Sequence, residues 1–503
     1  MLAGSGKKKM EPIKVNYHIF KGSREAEYML KNFSKEKPIL VYFDPDIDGL
    51  ISGLFVCRYL LEKGYPYTWY INKNREHGFK LPISQLKGFN IIAVDFLITR
   101  REVKELLENG NNIISIDHHV NEEKFICLKK NGCFGVVINN QYPFELEDGR
   151  YLSGAGVVFE FLRSIYNDFD TKENRALVGL TLLSDVRNIE NRNARGYLTD
   201  LYMHPYKGYI GYLLENSIGS VDYGFGVPRL DRNYVDFTFS PLINSCLRFG
   251  EEDMVVSFIL GSGFIDRNYR DKQKELTQKL IDLAVVDEYD GLYAVKIRKE
   301  DVSDDVKPVV SSFIGLVASR FLDSSHSCIS YLEEEDGSIG RASFRGRVNG
   351  LNYLKAVTKD GLIDGVGHEP AFGIIRINTT EEVFREVGRR CIEVESGNEN
   401  KRKIIYVNNM SMFVGEKGYN VAMENCFCLS QNRTYLKFTG DKEDIVKKRS
   451  GARYTEYSIN GVSVMCFDDN LKPDKDLILP MLERNVLCLY LNSENSEDFT
   501  FDD

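Results

Sequence analysis

The sequence lacks any charge-free apolar stretch of the roughly 18 residues needed to cross a membrane. Its most apolar helix-like stretch, Leu50–Leu61, is broken by Ser52, Gly53 and Arg58, so no membrane span is expected. It lacks an excess of basic charge. The net charge is −9, which argues against a generic basic coat for nucleic acid. Cysteine pairing motifs are missing too. Of ten cysteines only Cys426 and Cys428 are close, and C-x-C is not a zinc spacing. Buried free thiols in a reducing compartment are the expectation, and with them a cytoplasmic location. The opening MLAGSGKKKM has no apolar segment of the secretory kind and is read as a lead. Internal repeats and low-complexity segments are absent. Histidine is scarce, with seven in the chain.

What remains is an ordinary globular composition, 43% hydrophobic and 28% charged. The 503 residues suggest about three domains at roughly 150 residues each. The first 200 residues alternate short apolar runs with helical periodicity. Strands are expected at Ile39–Phe43, Ile91–Val94 and Asn112–Ile116, and helices at Gly49–Lys63, Thr99–Asn109, Val157–Tyr166 and Lys172–Leu183. This order predicts βαβ units and a parallel sheet. A partly helical connector follows, with a helix at Asp271–Leu283. A smaller α/β unit is expected next, with strands Leu292–Ile297, Cys328–Leu332 and Ser338–Phe344, a helix Val309–Leu322 and another near Leu351–Thr358. After 379 short alternating strands (Lys403–Val407, Phe427–Leu429, Tyr435–Phe438, Val462–Phe467) predict a β-rich barrel or sandwich. The expected fold class is thus α/β: a parallel-sheet domain over 35–205 after a lead of 1–34, a connector over 206–290, a smaller α/β domain over 291–378 and a β-rich domain over 379–503.

Each of the first three strands runs into polar residues at its carboxyl end. Phe43 precedes Asp44-Pro45-Asp46-Ile47-Asp48-Gly49, Val94 precedes Asp95, and Ile116 precedes Asp117-His118-His119. Ligands of open α/β sheets bind at that end. Carboxylates crowded on one rim repel each other, and a divalent cation is the natural compensation. Oxygen and imidazole donors suit Mn²⁺ or Mg²⁺. Taken singly, each piece reads as a turn, a helix cap or a surface histidine.

The set Asp44-Pro45-Asp46-Ile47-Asp48-Gly49, Asp95, Asp117-His118-His119 and Ser184-Asp185 resembles the DHH phosphoesterase superfamily in order and spacing. Val366-Gly367-His368-Glu369-Pro370-Ala371-Phe372-Gly373 looks like the Gly-Gly-His-x-x-Ala-x-Gly motif of the companion DHHA1 domain, and Ser343-Phe344-Arg345-Gly346 resembles the strand before it. Within the superfamily the RecJ-type exonucleases are most similar, through Leu152–Val157 and through Asp185-Val186 followed by Glu190-Asn191-Arg192. Val366 and Gly346 depart from the motifs, which bears on the shape of the substrate loop.

The resemblance implies a two-metal phosphodiesterase. Asp44 and Asp46 would lie on one ion, Asp48, His118 and Asp185 on the other, and Asp95 between them. His119 would face the scissile phosphate, with Asp117 orienting a histidine. Ser343, Arg345, Gly367 and His368 would bind substrate. The C-terminal region would be an OB-like domain gripping single-stranded DNA, with Tyr435, Lys437, Phe438, Arg453, Tyr454 and Tyr457 as interleaved aromatics and bases. The implied activity is single-strand-specific 5′→3′ DNA exonuclease. RNA or short oligonucleotides are the alternative substrates. A short-oligonucleotide or cyclic-nucleotide phosphodiesterase, or a non-catalytic strand-binding scaffold, is the alternative function.

Overall fold

A run in which every residue is apolar makes a strand only if both faces are covered. Ile39–Phe43 (β1) is such a run, as is Ile91–Val94 within Asn90–Val94 (β3), and every residue of both strands is buried. With Tyr67–Ile71 (β2), Asn112–Asp117 (β4), Cys127–Lys130 (β5) and Cys133–Asn139 (β6) they form a six-stranded sheet of order β2-β1-β3-β4-β6-β5. All its pairings are parallel except β5 with β6. This computed structural model describes residues 20–492 apart from 120–124, 143–150, 186–191, 205–206, 219–233, 349–350, 397–402, 408, 414–433, 451–454, 467–472, 474–476 and 484–485.

Alternation sends successive strand side chains to opposite faces. Val41, Phe43, Ile92, Val94, Ile114 and Ile116 share one core with helices α1 (Ser23–Asn32), α2 (Ile47–Glu62), α4 (Gly154–Ile165) and α5 (Lys172–Ser184). Leu40, Tyr42, Ile91, Ala93 and Ile113 pack against Val103, Leu106 and Leu107 of α3 (Arg100–Glu108) on the other face. Thr99 caps α3 through a reciprocal capping box with Glu102. The expected connector is not a loose tether. Its helices Gly208–Ile218, Ser240–Arg248 and Glu252–Ile259 place Leu213, Leu247 and Val256 in the first core. The helix Asn268–Asp282 then leads into a second sheet, where Leu276 and Leu280 pack.

The second sheet has the order β11-β12-β10-β9-β8-β7. Its strands are β7 (Val285–Tyr289), β8 (Leu292–Arg298), β9 (Ser327–Glu333), β10 (Ile339–Arg345), β11 (Ile363–His368) and β12 (Ala371–Ile377). Only β8 and β9 pair in parallel. The helix expected at Val309–Leu322 is a 3₁₀ turn, Val310–Phe313, followed by a short helix, Ile314–Arg320.

The third sheet is mixed but mainly antiparallel, with the order β13-β14-β18-β19-β17-β16-β15. Its strands are β13 (Lys403–Val407), β14 (Thr434–Phe438), β15 (Ile445–Ser450), β16 (Thr455–Ile459), β17 (Val462–Cys466), β18 (Leu477–Glu483) and β19 (Val486–Asn492). The strand expected at Phe427–Leu429 lies outside the described residues. Phe438 and Tyr457 are buried in the core of this sheet, so they pack rather than present faces for base stacking. Arg453 and Tyr454 lie outside the described residues.

The reading of short strands from 379 onward misses the helix Glu381–Ser396. Its Phe384, Val387 and Cys391 are buried in the core of the second sheet with Leu292 and Ala294. The close approach requires Gly388: a Cβ there would lie 2.1 Å from the Asp290 carbonyl oxygen. Gly388→Val is expected to destabilise the chain by about 1–3 kcal/mol through overpacking. A lowered unfolding midpoint checks this, and an unchanged one would detach the helix from the second sheet.

Candidate metal centre

Register decides where the acids go. Phe43 pairs with Val94, and Val94 with Ile116, so Asp44, Asp95 and Asp117 leave the sheet side by side on one rim. Asp95 has φ of 65°, a left-handed conformation that costs a non-glycine residue energy. Its N–H still donates to the Ile116 carbonyl at 2.9 Å, so the strand turns sharply just past its last pair. Two glycines make room at this rim. A Cβ at Gly154 would stand 2.2 Å from Asp95 Oδ1, and one at Gly49 would stand 2.3 Å from the Asp44 carbonyl oxygen.

Asp46 is the N-cap of α2 and accepts the Gly49 N–H at 3.0 Å. The cap reading therefore holds for Asp46, and its carboxylate still faces Asp44. Asp48, in the first turn of α2, accepts the Gly154 and Ala155 N–H groups at 2.6 and 2.9 Å. These are the first residues of α4, whose N-terminal donors favour a carboxylate. The start of α4 is held to α5 by Ser153 and Thr181, whose hydroxyls are 2.8 Å apart. Asp185 ends α5.

These elements bring four groups to one point. His118 Nε2 lies 3.2 Å from Asp95 Oδ1, 3.7 Å from Asp48 Oδ2 and 3.8 Å from Asp185 Oδ2. All four side chains are under a tenth exposed. A second group, Asp44, Asp46 and His77, has ligand atoms within 4.8 Å of one another, and so do Asp48, His118 and Asp185. Burial raises the Asp48 carboxyl above the usual range, followed by the charges of Asp185 and Asp46, while the α4 donors oppose it. Asp95 is also raised well above the usual range, by burial and then by Asp48, Asp46, Asp44 and Asp185. Asp95 Oδ1 is buried and accepts no hydrogen bond from the described residues. A buried acceptor among carboxylates and an imidazole is a poor place for protein alone and a good one for a divalent cation. The donor set fits Mn²⁺ or Mg²⁺.

His119 shares a further group with Asp95 and His118, whose ligand atoms lie within 4.8 Å of one another, and it also pairs with Asp117. Its Nδ1 lies 2.7 Å from Asp117 Oδ1, and Asn139 donates to the other oxygen of Asp117 at 3.2 Å. Burial alone would lower the His119 pKa. The charge and hydrogen bond of Asp117, followed by Asp185 and Asp44, outweigh it and raise it to about 10. The His119 ring is partly buried at the edge of the acid rim.

Arginines from three segments face one another, and one of them, Arg75, also faces the acids. Arg75 donates from Nε to the Pro45 carbonyl at 3.4 Å and feels Asp46 and Asp44. Arg345, on β10, donates to Ser343 Oγ at 2.8 Å and to the Phe344 carbonyl at 2.7 Å. Burial, then the charge of Arg75, lowers the Arg345 pKa to about 10. Arg248 is lowered well below its ordinary value by burial and then by Arg75, Arg345 and Arg270. Mutually repelling guanidiniums with buried stems form a ready anion site. Arg347, grouped with Arg341 and Arg345 in the sequence, instead pairs with Glu395 at 2.6 Å. Ser343 also donates to the Phe372 carbonyl at 3.3 Å. Gly367, at φ of 138°, and His368 end β11 at the hairpin to β12. The His368 side chain lies outside the described residues.

Sequence reasoning missed His77, Arg75 and Arg248. The first two sit just after β2, a strand it did not predict. The scarcity of histidine was the available signal for His77.

Gly154→Ala is expected to push the Asp95 carboxylate aside and weaken Mn²⁺ binding by about 10- to 100-fold. Calorimetric titration of the metal-free chain checks this; native-like affinity in the variant would show that Asp95 is not a ligand.

Residues 38–184 match the model of the DHH family, N-terminal domain. Among curated proteins the chain is 24% identical over 480 residues to the single-stranded-DNA-specific exonuclease RecJ of Bacillus subtilis, covering 83% of this chain and 57% of that protein. It is 27% identical over 251 residues to the protein of the same name from Thermus thermophilus, covering 48% and 35%. The chain thus spans only part of the length of these relatives. Its fold resembles RecJ of Thermus thermophilus in complex with Mn²⁺, with a TM-score of 0.63 at 19% identity, covering 96% of this chain and 73% of that one. The Mg²⁺ complex from the same organism gives 0.58 at 16% identity, with 95% and 70% covered. The motif set on the rim and the matched model agree that residues 38–184 form a DHH-family domain, in a chain whose fold resembles that of RecJ.

Proposed function

We propose that the chain is a two-metal phosphodiesterase that acts as a single-strand-specific DNA exonuclease, releasing mononucleotides from the 5′ end. The observation that carries this is the convergence of Asp48, Asp95, Asp185 and His118 on one buried point, with Arg345 of the second unit facing Arg75, which itself faces Asp46 and Asp44. The names of the curated relatives support the DNA substrate, and the Mn²⁺ and Mg²⁺ complexes of fold relatives support the metals.

In this reading Asp44 and Asp46 would hold one ion, Asp48, His118 and Asp185 the other, and Asp95 would serve both. Bound metal would supply an activated water and Lewis-acid stabilisation of the phosphodiester. The chain's own groups do the rest. Asp117, fixed by Asn139, keeps His119 protonated, and the imidazolium faces the negative charge that develops on the phosphate. Arg345, braced by Ser343, and Arg75 bind phosphate oxygens of the strand. Gly367 allows backbone to approach the substrate, and His368 lies beside it on the same hairpin. The parallel-sheet unit thus carries the metals, and the second sheet, with the helix Glu381–Ser396 in its core, the substrate phosphates. The third sheet, OB-like in this reading, holds the strand beyond them, through its backbone-tracking bases more than through stacked aromatics.

An end-label assay with Mn²⁺ tests the reading. A long single strand labelled at 5′ is expected to release labelled mononucleotide at once, while a 3′ label moves through a ladder. Asp95→Ala is expected to be silent in both. Rapid cleavage of a dinucleotide with long strands untouched would move the assignment to a short-oligonucleotide phosphodiesterase. Arg345→Ala is expected to lower kcat/KM by about 10- to 100-fold, the scale of a lost charged hydrogen bond. Unchanged steady-state kinetics would remove Arg345 from the substrate site.

A further inference from the structure

The segment that leaves β2 carries His77 to the acid rim, and its path is tightly held. Asn72 and Tyr42 are both buried. Asn72 Nδ2 donates to the Glu76 and Gly78 carbonyls, each at 2.7 Å, and so clamps the chain on both sides of His77. The Tyr42 hydroxyl bonds to Asn72, lies 3.2 Å from the Gly78 carbonyl and accepts the Lys80 N–H at 2.9 Å. Asn74 and Arg75 are both left-handed, at φ of 52° and 54°, and Gly78 turns the chain at 87°. The Asn74 N–H is tied to Glu252 at 2.6 Å. Two buried polar side chains and three positive-φ residues thus fix a loop whose imidazole touches Asp44 through Nδ1. The Gly78 N–H points to the other Asp44 oxygen at 3.4 Å. The ring is 45% exposed, so it is reachable from solvent although its nitrogen faces inward.

Resting on the metal reading above, we propose that His77 is a nitrogen ligand of the ion held by Asp44 and Asp46, and that it biases this position toward transition ions such as Mn²⁺ over Mg²⁺. The ligand atoms of the three residues lie within 4.8 Å of one another, close enough to share an ion. Mg²⁺ favours all-oxygen surroundings and gives up water reluctantly, whereas imidazole suits first-row transition ions. The two ion positions then each have one imidazole, His77 at one and His118 at the other. The competing role is a hydrogen bond that orients Asp44, which would affect all ions alike.

The test needs no nuclease activity. The metal-free full chain, its His77→Ala variant and its His77→Gln variant are titrated with Mn²⁺, with free ion followed by electron paramagnetic resonance, and again with Mg²⁺ as competitor. The same proteins with ¹⁵N-labelled histidine are examined for nitrogen coupling to bound Mn²⁺. Both variants should keep one Mn²⁺ position and weaken the other by about 10- to 100-fold. They should lose one class of coupled histidine nitrogen and change little in Mg²⁺ affinity. Both Mn²⁺ positions surviving at native affinity, an equal loss for Mn²⁺ and Mg²⁺, or undiminished nitrogen coupling would each overturn the proposal, as would failure of the native chain to bind Mn²⁺. His77-dependent Mn²⁺ binding without strand cleavage would sink the nuclease reading and leave this one standing.

Discussion

The register of β1, β3 and β4 is the constraint on which the rest of the site depends. Parallel pairing of Phe43, Val94 and Ile116 delivers three aspartates to one rim at one level. Folding then forces like charges together in a dry place, and burial with mutual repulsion pushes Asp95 far above the ordinary carboxyl range. The surrounding structure tolerates this through specific devices. The start of α4 neutralises part of Asp48, the glycines at 49 and 154 leave room for carboxylates, and a left-handed turn aims Asp95. Such an arrangement weakens the fold unless something of opposite charge occupies it.

The mirror problem lies close by. Arg75, Arg248 and Arg345 repel one another across segments that the sequence keeps far apart, and burial lowers the pKa of all three. Acids that need a cation, with arginines that need an anion beside them, suit the phosphodiester and metal ions that we propose as the ligand. Neither half alone selects that ligand. His119 stands at the acid rim, its charge set by Asp117.

Much of this was legible in the sequence because the informative residues follow strands of an obvious kind. Ile39–Phe43 and Ile91–Val94 are too short and too apolar to be anything but buried strands, so the acids after them had a defined place. The helix cap at Thr99 likewise sits where local chemistry puts it. What escaped depends on contacts distant in sequence. Tyr67–Ile71 is a half-exposed strand whose pairing with β1 gives it away only in three dimensions. His77 and Arg75 follow it into the site. Arg248 comes from a helix that looked like connector. The helix Glu381–Ser396 was lost because the alternating strands beyond it set the reading of the whole C-terminal region. Phe438 and Tyr457 looked like stacking platforms by composition and are core residues by packing.

Anomalous diffraction at the manganese edge from crystals soaked in Mn²⁺ tests the central claim most directly. The account predicts two peaks at the rim, one among Asp48, Asp95, His118 and Asp185 and one among Asp44, Asp46 and Asp95. No peak at the rim, or peaks only at acidic surface patches elsewhere, would contradict it.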